Sequence, residues 1–303
     1  MIRQRLGKDL LFFDGGMGTL LQEKGLAPGE LPETWNLTHS EEIYKIHRQY
    51  IEAGSDIILT NTFGANALKF HDDSCSLEEI IKAAVSHVKK AEREALLQTG
   101  DERKIYTALD VGPTGKLLKP MGDLEFETAY EAFKEVVILG EQAGADLIHI
   151  ETMSDTYELK AAVLAAKENT SLPVFATVIF DERKKLLTGA DVSSVVALLE
   201  GLGVDALGIN CAMGPKEMLP VLEELIKYSS VPIIVKPNAG LPKQRDGKTY
   251  YDVTEDEFAA YMEQIVRMGA CVIGGCCGTT PEHIRAMRDR KSTRLNSSHS
   301  RAS

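Results

Sequence analysis

The chain has 303 residues, 44% hydrophobic and 26% charged, which is ordinary for a globular protein and enough for one large domain with a sizeable core. Its 45 acidic against 34 basic side chains give a net charge of −11, which argues against a nucleic-acid groove or an anionic membrane surface as a partner. No apolar run approaches the roughly 18 residues of a membrane span, and the stretch Met1 to Lys8 lacks the apolar core of a secretory signal. Five cysteines without small-domain spacing suggest a reducing, cytoplasmic setting rather than a disulfide framework.

In chain order, the first strand is expected over Leu10–Gly16. Thr38-x-x-Glu41 reads as a capping box opening a helix that stops at Ala53-Gly54. Asp56–Phe63 and Lys104–Gly112 supply the next two strands, and a helix ending at Ala143-Gly144 leads into the fourth, Ala145–Met153. Asp155-x-x-Glu158 opens the following helix, before a fifth strand at Pro173–Phe180. A helix stopped at Leu202-Gly203 precedes Ala206–Cys211, and Pro232–Gly240 is the seventh strand. Thr254-x-x-Glu257 starts a helix ending at Met268-Gly269; Cys271–Gly278 is the eighth strand, and Thr280-Pro281 opens a last helix. The strand runs are hydrophobic almost without interruption, as parallel strands covered on both faces should be.

Eight strands alternating with helices predict an α/β fold, a (β/α)8 TIM barrel forming a single domain over residues 1–290. The competing doubly wound sheet would want a G-x-G-x-x-G turn after its first strand, and Asp14-Gly15-Gly16-Met17-Gly18-Thr19 is not one. Residues 291–303 read KSTRLNSSHSRAS, rich in Ser and Arg and without apolar periodicity. This stretch resembles translated adapter read-through; an ordinary disordered tail is the alternative, and either way it stays outside the fold reasoning.

Barrel chemistry sits at the C-terminal ends of the strands. The polar residues expected there are Asp14, Asn61-Thr62, Asp110, Glu151, Asn210-Cys211, Lys236-Pro237-Asn238 and Cys276-Cys277. Strands six and eight are separated by one strand, so Cys211, Cys276 and Cys277 should share one rim. Three converging thiols suit a tetrahedral Zn²⁺ with one open position, and the flanking glycines let adjacent cysteines turn toward one metal. The plainer reading, a cysteine as a small core hydrophobe, fits Cys271; Cys75 reads as a loop thiol. A vicinal disulfide between Cys276 and Cys277 is the other alternative, at odds with a reducing compartment.

The segments Asp14-Gly15-Gly16-Met17-Gly18-Thr19, Thr60-Asn61-Thr62-Phe63-Gly64-Ala65-Asn66, Asp110-Val111-Gly112-Pro113-Thr114-Gly115, Gly208-Ile209-Asn210-Cys211, Lys236-Pro237-Asn238-Ala239-Gly240 and Gly274-Gly275-Cys276-Cys277-Gly278 occur in this order. Together they resemble the homocysteine S-methyltransferase family across essentially all of residues 1–290. The match looks closest to the homocysteine-binding module at the N-terminus of cobalamin-dependent methionine synthases. The resemblance implies a zinc-dependent methyltransferase that activates homocysteine as a thiolate and yields methionine, with methylcobalamin on a separate domain or chain as the donor. It further implies Cys211, Cys276 and Cys277 as the zinc thiolates and Asn238 as an oxygen ligand before substrate arrives. Asp14 and Glu151 would receive the homocysteine ammonium, and backbone N–H groups of the Gly15, Gly16, Met17 and Gly18 turn its carboxylate. Gly16 departs from the alanine expected there, and the cobalamin- and folate-binding modules of such enzymes are absent from the sequence. A stand-alone methyltransferase using S-methylmethionine or a betaine-like donor, and a non-catalytic zinc-binding module, are the alternatives.

The physical reading runs parallel. A free thiol with pKa near 8.5 is only a few per cent thiolate at neutral pH, and zinc coordination deprotonates it. Glu151 at a strand tip needs a cation, which a substrate ammonium would supply. Lys236 is a candidate partner for a barrel carboxylate, and His149, one layer below Glu151, is expected as a core residue. Asp14 reads equally as a binding group or a cap for the turn that follows it. Asn61 and Thr62 either shape the pocket floor or satisfy loop backbone. Histidines 39, 47, 71, 87, 283 and 299 read as surface.

Overall fold

The computed structural model describes residues 1–70, 74–100, 102–245 and 248–299. Eight parallel strands form one sheet: β1 (Leu11–Phe12), β2 (Ile57–Leu59), β3 (Tyr106–Val111), β4 (Leu147–Met153), β5 (Val174–Val178), β6 (Ala206–Asn210), β7 (Ile233–Lys236) and β10 (Val272–Ile273). The order β1-β10-β7-β6-β5-β4-β3-β2 leaves β1 and β2 at the ends, and a parallel bridge between Phe13 and Ile57 joins them. Asp56 N–H donates to Phe12 O at 2.7 Å and Asp14 N–H to Ile57 O at 3.1 Å across the same seam. The ring is thereby closed into the expected single-domain barrel.

Helices α3 (Ser40–Ala53), α4 (Leu77–Thr99), α5 (Phe126–Ala143), α6 (Thr156–Asn169), α7 (Val192–Gly201), α8 (Leu219–Tyr228), α9 (Glu255–Met268) and α10 (Pro281–His299) form the outer layer. The short α1 (Met17–Glu23) and α2 (Trp35–Thr38) lie in the loop after β1. Two cores follow from the period-2 alternation of the strands. Phe12, Ile58, Leu109, Ile148 and Ile150 face the helices, while Leu11, Phe13, Ile57, Leu147, Phe175, Ile234 and Val272 fill the barrel together with Ile2.

Three aspartates just ahead of alternate strands repeat one device at the opposite end from the strand tips. Asp56, Asp146 and Asp205 accept the backbone N–H of Phe12, Thr107 and Val174 at 3.1, 2.9 and 2.9 Å, tying each strand to its neighbour. Arg288 and Arg3 pair with two of them, so this charge reads as barrel stability rather than chemistry.

Helix boundaries differ from expectation where a cap was misassigned. Thr38 ends α2 and does not cap α3, which follows His39. Asp155 does cap α6, accepting Tyr157 N–H at 2.9 Å, but Glu158 reaches across to Thr114 instead of completing a box. Thr254 caps α9 through Glu257 N–H. A reciprocal box, Ser76 with Glu79, opens α4. Gly54 and Gly144 take left-handed conformations (φ 113° and 95°) after α3 and α5, as their position predicts.

An antiparallel hairpin, β8 (Lys243–Arg245) with β9 (Lys248–Tyr250), is inserted after β7. Its polar residues hid the strands, although Asp246-Gly247 is a favoured two-residue hairpin turn composition; those two residues lie outside the described ones. The helical backbone of α10 continues past residue 290 to His299, and residues 300–303 lie outside the description. Two histidines expected at the surface are buried: His47 completely, on the face of α3 that packs on α4, and His283 nearly so, beside Phe258. A helix places one face inward whatever its residues are, and these two fall on that face. His87 is half-buried, His39 is exposed, and His71 lies outside the described residues.

Candidate active site

The order β6-β7-β10 carries the three cysteines to one rim, because β7 laces both neighbours beyond the ends of the strands. Cys211 N–H donates to Lys236 O at 3.0 Å, Cys276 N–H to Pro237 O at 2.8 Å, and Cys277 N–H to the Asn238 side-chain Oδ1 at 3.1 Å. Cys211 and Ala212 both have positive φ, 55° and 59°, a conformation that costs a residue with a Cβ and turns the thiol off the strand direction. The Cys276-Cys277 loop lies against the turn after β1. Gly16 N–H donates to Thr279 O and Oγ1, both at 3.1 Å, and Tyr50 O–H donates to Thr279 O at 3.0 Å. A Cβ on Gly16 would come 2.8 Å from Cys276 O, so the alanine expected there does not fit this approach without a shift.

The three sulfurs lie within 4.8 Å of one another, and all three thiols are free. Zinc–sulfur bonds of about 2.3 Å at tetrahedral angles place ligand sulfurs about 3.8 Å apart. Cys211 Sγ and Cys277 Sγ are 3.8 Å apart, far beyond a disulfide and at the spacing a shared metal requires. The donor set fits zinc, or another thiophilic cation, in chemistry and in spacing. Without a metal the three share their protons unequally. Hydrogen bonds from Cys211 and Cys276 pull the Cys277 thiol down to about 3, while hydrogen bonding to Cys211 and Cys277, with burial, pushes Cys276 well above the ordinary range.

Asn210, at the end of β6, organises this rim. Its Oδ1 accepts Thr152 N–H (2.9 Å) and Thr177 Oγ1–H (2.8 Å); its Nδ2 donates to Thr152 Oγ1 (2.8 Å) and points at Cys276 Sγ (3.9 Å). Thr152 has φ 63°, so a second strained tip, that of β4, is held by the same side chain.

A cavity of about 400 Å³ opens beside the sulfurs. Gly15, Gly16, Met17 and Gly18 line one side, Asp110, Glu151 and Lys236 its floor, and Cys211, Cys276, Cys277 and Tyr251 another side. Asp14 stands just behind this lining, buried, and does not cap its own turn: its Oδ2 accepts Leu59 N–H at 2.9 Å. Asn238 is buried behind Cys277. The Gly16 N–H is engaged by Thr279, which removes one of the four backbone donors expected to bind a carboxylate. Asn61 serves the backbone, donating to Pro32 O at 2.7 Å, and Thr62 donates to Asp110 O at 2.7 Å.

The floor is a charge cluster. Lys236, fully buried, places Nζ 2.6 Å from Glu151 Oε2 and 4.6 Å from the centre of the Phe13 ring. The expected barrel carboxylate for Lys236 is therefore Glu151, whose cation comes from the protein. Burial alone would raise Glu151, but Lys236 and then His149 outweigh it and lower it to about 2. Burial, then Lys236, lowers His149 to about 4, so the ring is neutral and its 3.2 Å contact with Glu151 is a hydrogen bond. Burial raises Asp14 to about 7 and holds Asp110 well above the carboxylate range, with Glu151 adding to the effect and Lys236 opposing it in Asp110.

Cys271 sits at the other end of β10 with its thiol toward Ile233 O, and Cys75 lies in the loop before α4, as expected. Asn210 was expected at a strand tip but without a role, since nothing beyond its place signalled one; Tyr251 was missed, because it follows the hairpin and packs over Gly278 and needed the hairpin to be recognised first.

Residues 11–291 match the sequence pattern of the homocysteine S-methyltransferase family. The chain is 35% identical over 294 residues to the methionine synthase of Mycobacterium leprae and 35% over 292 residues to that of Mycobacterium tuberculosis. These alignments cover 93% and 92% of this chain but 24% of each relative, so the chain spans about a quarter of their length. The metallated form of the homocysteine methyltransferase MmuM from Escherichia coli superposes with a TM-score of 0.80 at 26% identity, covering 94% of this chain and 97% of that one.

Proposed function

This chain belongs to the homocysteine S-methyltransferase family, and from that premise we propose that it binds homocysteine in the barrel mouth, with the sulfur at a Zn²⁺ held by Cys211, Cys276 and Cys277, and presents it for methylation to methionine. The observation that carries this reading is the convergence of three thiols at metal spacing beside a cavity with buried carboxylates. Bound there, zinc supplies the Lewis acidity that keeps a coordinated thiol ionised near neutral pH. The chain's own residues do the rest. Asn210 and the backbone of β7 fix the directions of the thiols, and Lys236 places a positive charge near the accumulating negative charge of the sulfurs. Asp14 and Glu151 offer carboxylates to the substrate ammonium; the first turn of α1, at Met17 and Gly18, offers N–H groups to its carboxylate. Tyr251 covers one side of the cavity and limits water beside the sulfurs. Asn238 Oδ1 keeps a second lone pair beside its bond from Cys277, which suits it as an oxygen ligand before the substrate arrives. The donor methyl must enter from the open mouth, in line with the sulfur.

The donor we favour is methylcobalamin carried on another module, since the methionine synthases it resembles are about four times longer. The nearly complete coverage of MmuM supports a second reading, a stand-alone methyltransferase; its methyl would come from S-methylmethionine or a betaine-like donor. Both readings place the protein in the cytoplasm, where the thiols stay reduced; among the described residues no helix is long and apolar enough to cross a membrane. Zinc-loaded protein incubated with homocysteine and each donor in turn, with methionine quantified, separates them. Methionine from methylcobalamin supports the first reading, and methionine from the sulfonium or betaine alone supports the second. Bound zinc with no methionine from any donor leaves a non-catalytic zinc module.

A further inference from the structure

The turn after β1 and the loop after β10 lie far apart in sequence and are bonded into one body at the rim. Gly275 N–H donates to Asp14 O at 3.0 Å, and Gly278 N–H to Thr19 Oγ1 at 3.4 Å. Between these two links sits Thr279, fully buried. Its hydroxyl donates to Cys276 O at 2.6 Å and accepts Gly16 N–H at 3.1 Å. One oxygen thus joins the residue that carries a thiol to the turn on another side of the cavity. The Thr279 backbone oxygen shares the Gly16 N–H and also accepts Tyr50 O–H, which occupies both its lone pairs and anchors the node to α3.

The space around this hydroxyl has no slack. A Cβ on Gly275 would come 2.2 Å from Thr279 Oγ1, and one on Gly15 would come 2.6 Å from it. The glycines beside the two segments are therefore contact surfaces for Thr279. The cavity itself is lined by Gly15, Met17, Gly18, Cys276 and Cys277, with Thr279 behind them. Thr279 holds the support of each end of the site and stands clear of whatever binds there.

We propose that Thr279 is a positioning residue that couples the two ends of the site. A cation held by the thiols and an α-amino acid held at the turn each strengthen the other's binding through its hydroxyl. The proposal rests on the reading of the mouth as a metal and amino-acid site. Each ligand fixes one irregular segment, the metal the Cys276-Cys277 loop and the amino acid the turn at residues 15–18. A segment already held through the shared hydroxyl has less freedom left to lose when its own ligand arrives. The gain is reciprocal, as linkage requires.

The test measures Zn²⁺ affinity by competition with a chromophoric chelator, with and without saturating 2-aminobutanoate, which is homocysteine without its thiol and cannot ligate the metal through sulfur. The proteins are wild type, Thr279→Val, which keeps the shape and loses the hydroxyl, and Thr279→Ser, which keeps the hydroxyl. We expect 2-aminobutanoate to tighten Zn²⁺ at least about fivefold in wild type and in Thr279→Ser, and less than about twofold in Thr279→Val. Attraction between the charges of the two ligands is the same in all three proteins, so the difference belongs to the hydroxyl. A merely structural loss would weaken Zn²⁺ equally with and without the amino acid and leave the factor unchanged. No tightening in wild type, an undiminished factor in Thr279→Val, or a lost factor in Thr279→Ser would each overturn the proposal while leaving the homocysteine pocket standing; the first needs no variant to fold. A zinc-loaded wild type that gives no calorimetric binding of 2-aminobutanoate or homocysteine overturns the homocysteine reading and this proposal with it.

Discussion

Lys236 Nζ and Glu151 Oε2, 2.6 Å apart and 85 residues apart in sequence, form a buried ion pair across the floor of the barrel mouth. Removing one partner of such a pair leaves an uncompensated charge, at a typical cost of about 3–5 kcal/mol. The two removals are not equivalent here. Lys236→Met leaves three carboxylates and no buried cation and should cost the full amount. Glu151→Gln leaves Lys236 beside Asp14 and Asp110, either of which can release a proton and take over as counterion, so its cost should be smaller by at least about 1 kcal/mol. Urea unfolding of both variants at pH 7 checks the asymmetry; equal losses would mean that Asp14 and Asp110 do not respond to Lys236.

Asn210 joins the tips of β4, β5 and β6 to Cys276 through one amide. Asn210→Ala strands Thr152 N–H and the Thr177 hydroxyl, each at about 1–3 kcal/mol if no water replaces the partner. Loss of a group that orients a ligand typically weakens metal affinity by about ten- to a hundredfold. Competition for Zn²⁺ with a chromophoric chelator should show that loss, and wild-type affinity would make Asn210 purely a strand clamp.

The cysteines divide by position. Cys276→Ala and Cys277→Ala should purify with little or no zinc, whereas Cys75→Ala and Cys271→Ala should keep about one per chain, because Cys271 lies at the far end of β10. Full zinc content in either of the first two would move the metal elsewhere.

Much of this was legible in the sequence, for reasons that also mark where legibility ended. Strands covered on both faces advertise themselves as apolar runs, so all eight were found. Their ends were not. Leu10–Gly16 shrinks to Leu11–Phe12 because the ladder stops where the chain peels off into the Asp14–Gly16 turn. The three cysteines were legible as a set because barrel topology fixes which strand tips are neighbours. The partner of Glu151 was legible only in part: Lys236 was expected to pair with a barrel carboxylate, but no local pattern tells a lysine on β7 which one, and the cation for Glu151 was assigned to the substrate. His47 looked like one more polar residue on a helix, and only the packing of α3 on α4 buries it.

That burial has a consequence for acid stability. Neither ring nitrogen of His47 has a partner, and burial, then the charge of His87, lowers it to about 3. The unfolded chain takes up this proton near pH 6.5 and the folded chain only near 3. The stabilising contribution is therefore complete above 6.5 and is lost as pH falls from 6.5 toward 3. Between pH 7 and 5 the loss from this one group is about 2 kcal/mol. His47→Leu should lose about that much less than wild type between the two pH values in urea unfolding, and an identical loss would mean that His47 is hydrated in solution.

The central claim, that the three cysteines hold a metal to which homocysteine delivers its sulfur, is tested most directly by X-ray absorption at the zinc edge, with and without homocysteine. Zinc-loaded protein should show three sulfur neighbours and one lighter oxygen or nitrogen atom, changing to four sulfurs at about 2.3 Å when homocysteine is added. A sulfur count that stays at three under saturating homocysteine would contradict the account.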